Sequence, residues 1–359
     1  MALYNGKNYT KKELLKRVGS ISQIAGVRKV EFKEGFQKGI EAAEFRCGTG
    51  FNFTVALDRA MDITIAEFCG KSLEFRTSCE ETTPYIYDPY KLDWLYNFPG
   101  GLVATCGLMN VGSPCEFDGD EKGQHGRIGN IPASGVHVDG EWVGDDYIMW
   151  AKGKMRETRF FGCNYLLERK ISAKLGENKI FIEDTITNEA HNKFPLEILY
   201  HMNTGFPLVD EGSYLVFPSN KVVPRDADAE AGFDTYDKLI APEHNYKEQC
   251  FFHDMETEDN GETCCAIINP NANMGMYVKF NKTQLPYFTE WKCMDEGQYA
   301  LGLEPANCHV MGMAWEAENG TLEYLEAGES KKINLEIGVL AGDEEISKAI
   351  NYINQLKCK

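Results

Sequence analysis

The sequence predicts an all-β protein: a large antiparallel β-sandwich with short N- and C-terminal helices. Three observations carry that expectation. Short runs rich in aromatic and β-branched residues, punctuated by Gly and other turn formers, recur along most of the chain. Helical periodicity is confined to the two ends. The 359 residues, 43% hydrophobic and 12% aromatic, show no regular internal repeat and no low-complexity linker, so residues 1–359 are read as a single domain with one large core.

Taken in order, Thr10-Lys11-Lys12-Glu13 has the form of a capping box, with Leu14, Val18 and Ile21 following at helical spacing. This predicts an N-terminal helix over about 10–25. Strands are expected at Val27–Phe32, Ala43–Val55, Met61–Phe68, Asn164–Leu175, Lys179–Thr187 and Leu196–Asn203. The series continues at Thr263–Asn269, Gly275–Asn281, Phe288–Cys293, Tyr299–Glu304 and Lys332–Leu340. Within Lys179–Thr187, period-two alternation puts Ile180, Ile182, Asp184 and Ile186 on one face. Asp343 is expected to cap a terminal helix over about 343–357, with Ile346, Ile350, Ile353 and Leu356 inward. The acidic, weakly periodic stretch from Arg225 to Asn245 reads as a long loop over a site.

A formal net charge of −18 argues against nucleic acid and anionic membranes as partners, since both require a basic face. The N-terminus lacks the apolar core of a signal peptide, and no apolar run is long enough to span a bilayer. The 12 cysteines include no Cys-x-x-Cys pair, which disfavours a zinc knuckle or a dithiol redox centre. They read as reduced, small buried hydrophobes of a cytoplasmic protein.

Three polar residues stand out because each interrupts a stretch that reads as strand or strand exit. His125 lies in Gly-Gln-His-Gly-Arg, where glycines permit close backbone approach. His201 continues the apolar run Leu196–Tyr200, sharing a face with Glu197, Leu199 and Asn203. Glu304 follows Leu301 and Leu303 and precedes Pro305, which keeps it extended. A carboxylate so placed is desolvated, which raises its pKa toward that of a general base. Taken singly, a strand His is as often a satisfied core residue and a strand-end Glu as often half of a salt bridge. As a set they can give and take protons near neutral pH. Arg59 could fork to a ligand or simply pair with Asp62. Trp291, between Glu290 and Lys292, could stack on a ring or fill core. Cys106, in a Gly-rich run, is a nucleophile only with a neighbouring base.

At these residues the chain resembles the aldose 1-epimerase (galactose mutarotase-like) superfamily, in the branch known simply as aldose 1-epimerase family proteins. The resemblance runs from about Arg28 to Leu340. It is carried by Asp58–Ile63 (Asp-Arg-Ala-Met-Asp-Ile), Gly100–Leu108 (Gly-Gly-Leu-Val-Ala-Thr-Cys-Gly-Leu), His125–Ile128, Leu199–Leu208 (Leu-Tyr-His-Met-Asn-Thr-Gly-Phe-Pro-Leu) and Gly302–Pro305. It implies a β-supersandwich with a sugar cleft across one concave sheet, and an enzyme that exchanges sugar anomers without a cofactor. By motif context Glu304 would take the anomeric hydroxyl proton, His201 would protonate the ring oxygen and His125 would hold the sugar. Arg59, Asp62, Arg127, Asn203 and Trp291 would contact the substrate. The implied partner is a small carbohydrate, and a homo-oligomer is compatible with the sequence. Three other readings stand beside this one: a metal-dependent sugar isomerase in which His125, His201 and Glu304 are ligands, a carbohydrate-binding protein without turnover, and activity on a phosphorylated, acidic or oxidised hexose, for which Arg59 and Arg127 give footing.

Overall fold

The structure, a computed structural model, describes residues 1–357. Three antiparallel sheets dominate. An eight-stranded sheet runs in the order Ser134–Val143, Asp146–Thr158, Asn164–Lys174, Lys179–Asn188, Ser330–Ala341, Met274–Asn281, Glu262–Asn269 and Tyr214–Val216. A second sheet runs Ser219–Pro224, Gln249–Met255, Tyr287–Asp295, Gln298–Ala306, Phe194–Thr204 and Glu323–Leu325, with Ala104–Leu108 also paired to Phe194–Thr204. A five-stranded sheet near the N-terminus comprises Gly26–Glu31, Glu41–Arg46, Phe51–Ala56, Asp62–Phe68 and Lys71–Ser72. The expected large antiparallel β-sandwich is the observed architecture.

One continuous apolar core joins the three sheets. Phe45, Phe53 and Ile63 meet Met149, Leu167 and Ile182, which meet Ile198, Met202 and Leu303. In its midst sits a polar knot. Arg169 and Asp184 lie on neighbouring strands of the larger sheet and pair through Nη2–Oδ2 at 2.6 Å. The Tyr200 hydroxyl donates to Asp184 at 2.6 Å, and Arg169 donates to Thr105 Oγ1 at 2.7 Å and to the Ala60 carbonyl at 3.0 Å. Asp62 accepts from the Thr105 amide and hydroxyl. Every charge is thus matched by hydrogen bonds inside the core, the condition for burying it. The knot pins Tyr200 and Thr105, directly beside His201 and Cys106.

The N-terminal helix is shorter than predicted. The capping box at Thr10 forms, but the helix covers only Lys11–Leu15, and a separate 3₁₀ turn spans Ile21–Gln23. Gly19 is a poor helix residue, and Ser20 starts the second turn by accepting the Ser22 amide. The single strand expected over Ala43–Val55 is a hairpin, turned by Gly48 and Gly50 at φ +78° and +93°. The terminal helix spans Gly342–Lys357, with Asp343 in its first turn rather than at the cap; Glu345 reaches back to the Ala341 amide. This helix packs Ile346, Ile353 and Leu356 against the outer face of the larger sheet, on Cys264, Ala266 and Ile268. Cys264 and Cys265 therefore face opposite sides of their strand, and among the described residues the cysteines are free thiols. The long hairpin Ser134–Thr158 was not predicted. Its signal is the alternation of buried Tyr147, Met149, Ala151, Gly153 and Met155, with Lys152, Lys154 and Arg156 on the outer face of its second half.

Candidate functional site

The second sheet, which holds Phe194–Thr204 and Gln298–Ala306, presents its outer face as a polar and aromatic floor. Its register pairs Leu199 with Ala306 and Met202 with Leu303, which sets His201 opposite Glu304. Glu304 pairs on its other side with Thr289, and Thr289 with Phe252. Directly opposed residues share a face, so His201, Glu304, Thr289 and Phe252 lie in one row across four strands. Ala104 and Cys106 extend the floor beyond His201.

His201 Nε2 lies 3.3 Å from Glu304 Oε1, close but not aligned as a hydrogen bond, since that oxygen has no hydrogen-bond partner in the protein. Both side chains are buried. Desolvation pushes the Glu304 carboxyl well above its ordinary range, with the nearby Glu248 adding to the rise and Arg225 opposing it. Desolvation pulls the His201 imidazole down to about 4. Both groups thus favour the uncharged form, and the pair holds one exchangeable proton. Thr289 Oγ1 and His201 Nδ1 are also buried without a protein partner, so unsatisfied polar atoms concentrate on this row. Buried polar groups are normally paired, and a hydroxyl-rich ligand would satisfy these.

His125 sits at φ +55°, a left-handed conformation uncommon outside glycine, and is followed by Gly126 at +67°. Its Nδ1 accepts the Gly112 amide at 3.3 Å, leaving the ring proton on Nε2 as a donor. Burial, with His201 adding to it, holds His125 neutral, well below the usual imidazole range. The His125 ring packs at a tilt against Trp94 at 4.5 Å and meets His201 at 5.6 Å between centroids. Phe98 and Trp291 flank His201 at 5.5 and 5.4 Å. Trp291 is held by its indole N–H on Glu248 Oε2 at 2.9 Å. Arg225 donates to Glu248 Oε1 at 3.1 Å and to Cys250 Sγ at 2.9 Å.

The structure therefore gathers His125, His201, Glu304 and Trp291. It sends other predicted contacts elsewhere. Arg59 is buried and spends its guanidinium on the Thr82 and Asn97 carbonyls and on Asn130 Oδ1. Asp62 belongs to the core knot, where burial raises its pKa to about 6 against the pull of Arg169. Asn203 is the exception: it stays on the His201 face opposite Gly302, its amide N–H groups donate to the Gly101 and His201 carbonyls, and its Oδ1 is buried without a protein partner. Arg127 is exposed and lines a separate cavity of about 560 Å³ with Glu157, Lys122 and Phe161. Glu157 is buried there; it accepts the Leu108 amide, and desolvation raises its pKa to about 7. Cys106 is buried in the floor, and its thiol is pushed well up by desolvation, which leaves it protonated.

Residues missed in the sequence are Trp94, Phe98, Thr289, Arg225 and Glu248. The last two bracket the stretch expected to be a loop, which instead contains the helix Ala227–Ala231 capped by Asp226. Its two ends reach the site. A second His–carboxylate pair, His253–Glu290 at 3.0 Å, lies on the opposite face of the sheet with Ser219 on Nδ1; both its side chains are fully enclosed. Among the described residues no group of three or more His, Cys, Asp or Glu is arranged to hold a metal ion. That arrangement gives the metal-ligand reading of His125, His201 and Glu304 no geometric support. No helix among them is long and apolar enough to cross a membrane.

No functionally curated protein matches the chain. Solved structures do. A protein of Klebsiella pneumoniae subsp. pneumoniae MGH 78578, provisionally named an aldose 1-epimerase, is 23% identical, with a TM-score of 0.87 over 92% of this chain and 87% of that one. Galactose 1-epimerase of Lactobacillus acidophilus NCFM superposes with a TM-score of 0.58 at 12% identity, over 89% of this chain and 100% of that one. A galactose mutarotase-like protein of Clostridium acetobutylicum gives 0.56 at 12% identity, over 88% and 99%. These likenesses establish the fold. Residues 37–339 match the family described as "Domain of unknown function (DUF4432)", and the chain is a member of that family, built on the galactose mutarotase-like fold.

Proposed function

We propose that the protein is an aldose 1-epimerase-like enzyme that interconverts the anomers of a free sugar or sugar derivative by general acid–base catalysis. The observation that supports this most is the His201–Glu304 pair: two buried groups able to carry a proton, 3.3 Å apart on neighbouring strands, walled by aromatic rings suited to the apolar faces of a pyranose.

Moving the carboxyl proton across that gap gives a Glu304 carboxylate and a His201 imidazolium. The carboxylate removes the proton of the C1 hydroxyl while the imidazolium protonates the ring oxygen. The C1–O5 bond breaks, C1=O1 forms, and the pair returns to its uncharged form. Rotation about C1–C2 and the reverse transfers close the ring as the other anomer. The pair's proton count is unchanged over the cycle. His125, with its proton on Nε2, donates a hydrogen bond to a sugar oxygen, and Trp291 supplies a stacking face. Positioned proton transfer contributes about 10²- to 10⁴-fold each.

Glu304→Gln keeps the shape and removes the base. Anomer exchange followed by NMR on a panel of neutral, acidic and phosphorylated sugars, with and without a strong chelator, is expected to proceed in the wild type. In the folded variant it should fall by about 10²- to 10⁴-fold. Unchanged exchange in folded Glu304→Gln sinks the assignment.

A further inference from the structure

A second cluster lies on the same floor. His309, just past the Glu304 strand, packs against Phe252, Tyr287 and Trp315 at centroid distances of 4.9, 4.3 and 5.2 Å. All four side chains are half-buried, so their free faces look outward. Phe252 is in the His201–Glu304–Thr289 row, and Tyr287 pairs with Ala306, one alternation along from the Thr289–Glu304 pair. The floor between the clusters is therefore continuous. From Glu304, Phe252 is two strands across, about 10 Å; Tyr287 is one strand across and two residues along, roughly 8 Å.

The imidazole of His309 is set rather than free to turn. Glu316, whose side chain is fully buried, faces His309 Nδ1 at 3.1 Å and accepts the His309 amide at 2.8 Å and the Thr321 hydroxyl. A carboxylate so supplied with donors stays in place and accepts a hydrogen bond from His309 Nδ1–H. Nε2 is then left as an acceptor with no partner among the described residues. An oriented acceptor ringed by three aromatic faces matches a sugar ring: a hydroxyl for the nitrogen and C–H faces for the rings. Core packing alone would not require the lone pair to be fixed on the open side.

We propose that Phe252, Tyr287, Trp315 and His309 form a second sugar subsite, which binds the ring glycosidically linked to the one whose anomeric carbon lies over His201 and Glu304. The substrate class is then a short oligosaccharide with a free reducing end. This rests on the anomer-exchange reading of the first site for its kinetic part only.

The test uses the full chain, a monosaccharide panel (glucose, galactose, mannose) and reducing disaccharides built from them (maltose, cellobiose, lactose, mannobiose). The ratio of disaccharide to monosaccharide kcat/KM is expected to favour at least one disaccharide by tenfold or more. That preference should fall at least tenfold in Trp315→Ala and in His309→Phe, through KM, and be largely retained in Trp315→Phe. Saturation-transfer NMR on the same disaccharides reads binding without turnover. Contacts to the non-reducing ring should be present in the wild type and in Glu304→Gln, and lost in Trp315→Ala. If no sugar is turned over but these contacts appear, the subsite stands and the catalytic reading fails. Absence of contacts to the second ring from every disaccharide, or equal losses for mono- and disaccharides in a folded variant, overturns the subsite.

Discussion

Glu157 shows what burial does to a single carboxyl. Its pKa is raised to about 7 from 4.5, mainly by desolvation. A group whose folded-state pKa lies above its unfolded value gives stability that is complete below the unfolded pKa and is lost as pH rises through the folded one. The window here is pH 4.5 to about 7. Glu157→Gln retains an acceptor for the Leu108 amide and removes the buried charge. Its melting temperature should match the wild type near pH 4 and exceed it at pH 8, by at most about 3 kcal/mol in stability. Calorimetric melts at the two pH values decide this; a gain of equal size at both would mean that ionisation is not the cause. At the same scale, His201 and Glu304 stood out in the sequence because each puts a polar group where apolar neighbours predict core, and His125 stood out by its flanking glycines and its company with the other two. Arg59 and Asp62 looked equally functional there. Nothing in a linear string separates an Arg that meets a ligand from one that meets three buried oxygens. Arg225 and Glu248 carried no signal, since only folding brings the ends of their segment to Glu304.

Strands set the precision of the site. Gly302 pairs with Trp291 and Asn203, and a Cβ added there would lie 2.3 Å from Glu304 Oε1. Its lack of a side chain leaves room for the carboxyl to sit beside His201. Gly302→Ala should therefore fold, with the strand intact, yet slow anomer exchange by roughly tenfold or more by displacing Glu304; circular dichroism and the NMR exchange rate together check it, and wild-type exchange would refute the clash. At this scale most central strands could be read in advance, because their apolar alternation faces one core. The Ser134–Thr158 hairpin escaped because Ile148 and Trp150 on its outer face make Tyr147–Ala151 a continuous apolar run that hides the period of two, and the first helix was overextended because its spacing continued through Gly19 and Ser20, where the backbone turns.

Across the whole molecule, charge and core play different parts. The chain's −18 makes a field that repels anions and ignores neutral sugars. For a neutral substrate kcat/KM should be nearly flat between low and high salt, whereas for a uronic acid it should rise severalfold as the repulsion is screened. Stopped-flow polarimetry over an ionic-strength series checks both; a fall with salt for the uronic acid would require a local cationic receptor. The single core spanning three sheets, tied by Arg169 and Asp184, was legible only as a fold class. The pairing of Arg169 with Asp184 depends on a register that no local pattern states.

The His201–Glu304 pair stands on ladder strands, while Trp94 and Phe98, and Arg225 and Glu248, come from connecting segments. Floor and walls can therefore diverge separately. Insertions and exchanges in the connections alter which molecule is admitted, and the ladder that holds His201 against Glu304 is left untouched. A lineage built on this scaffold can vary the walls of the site while its floor stays as it is.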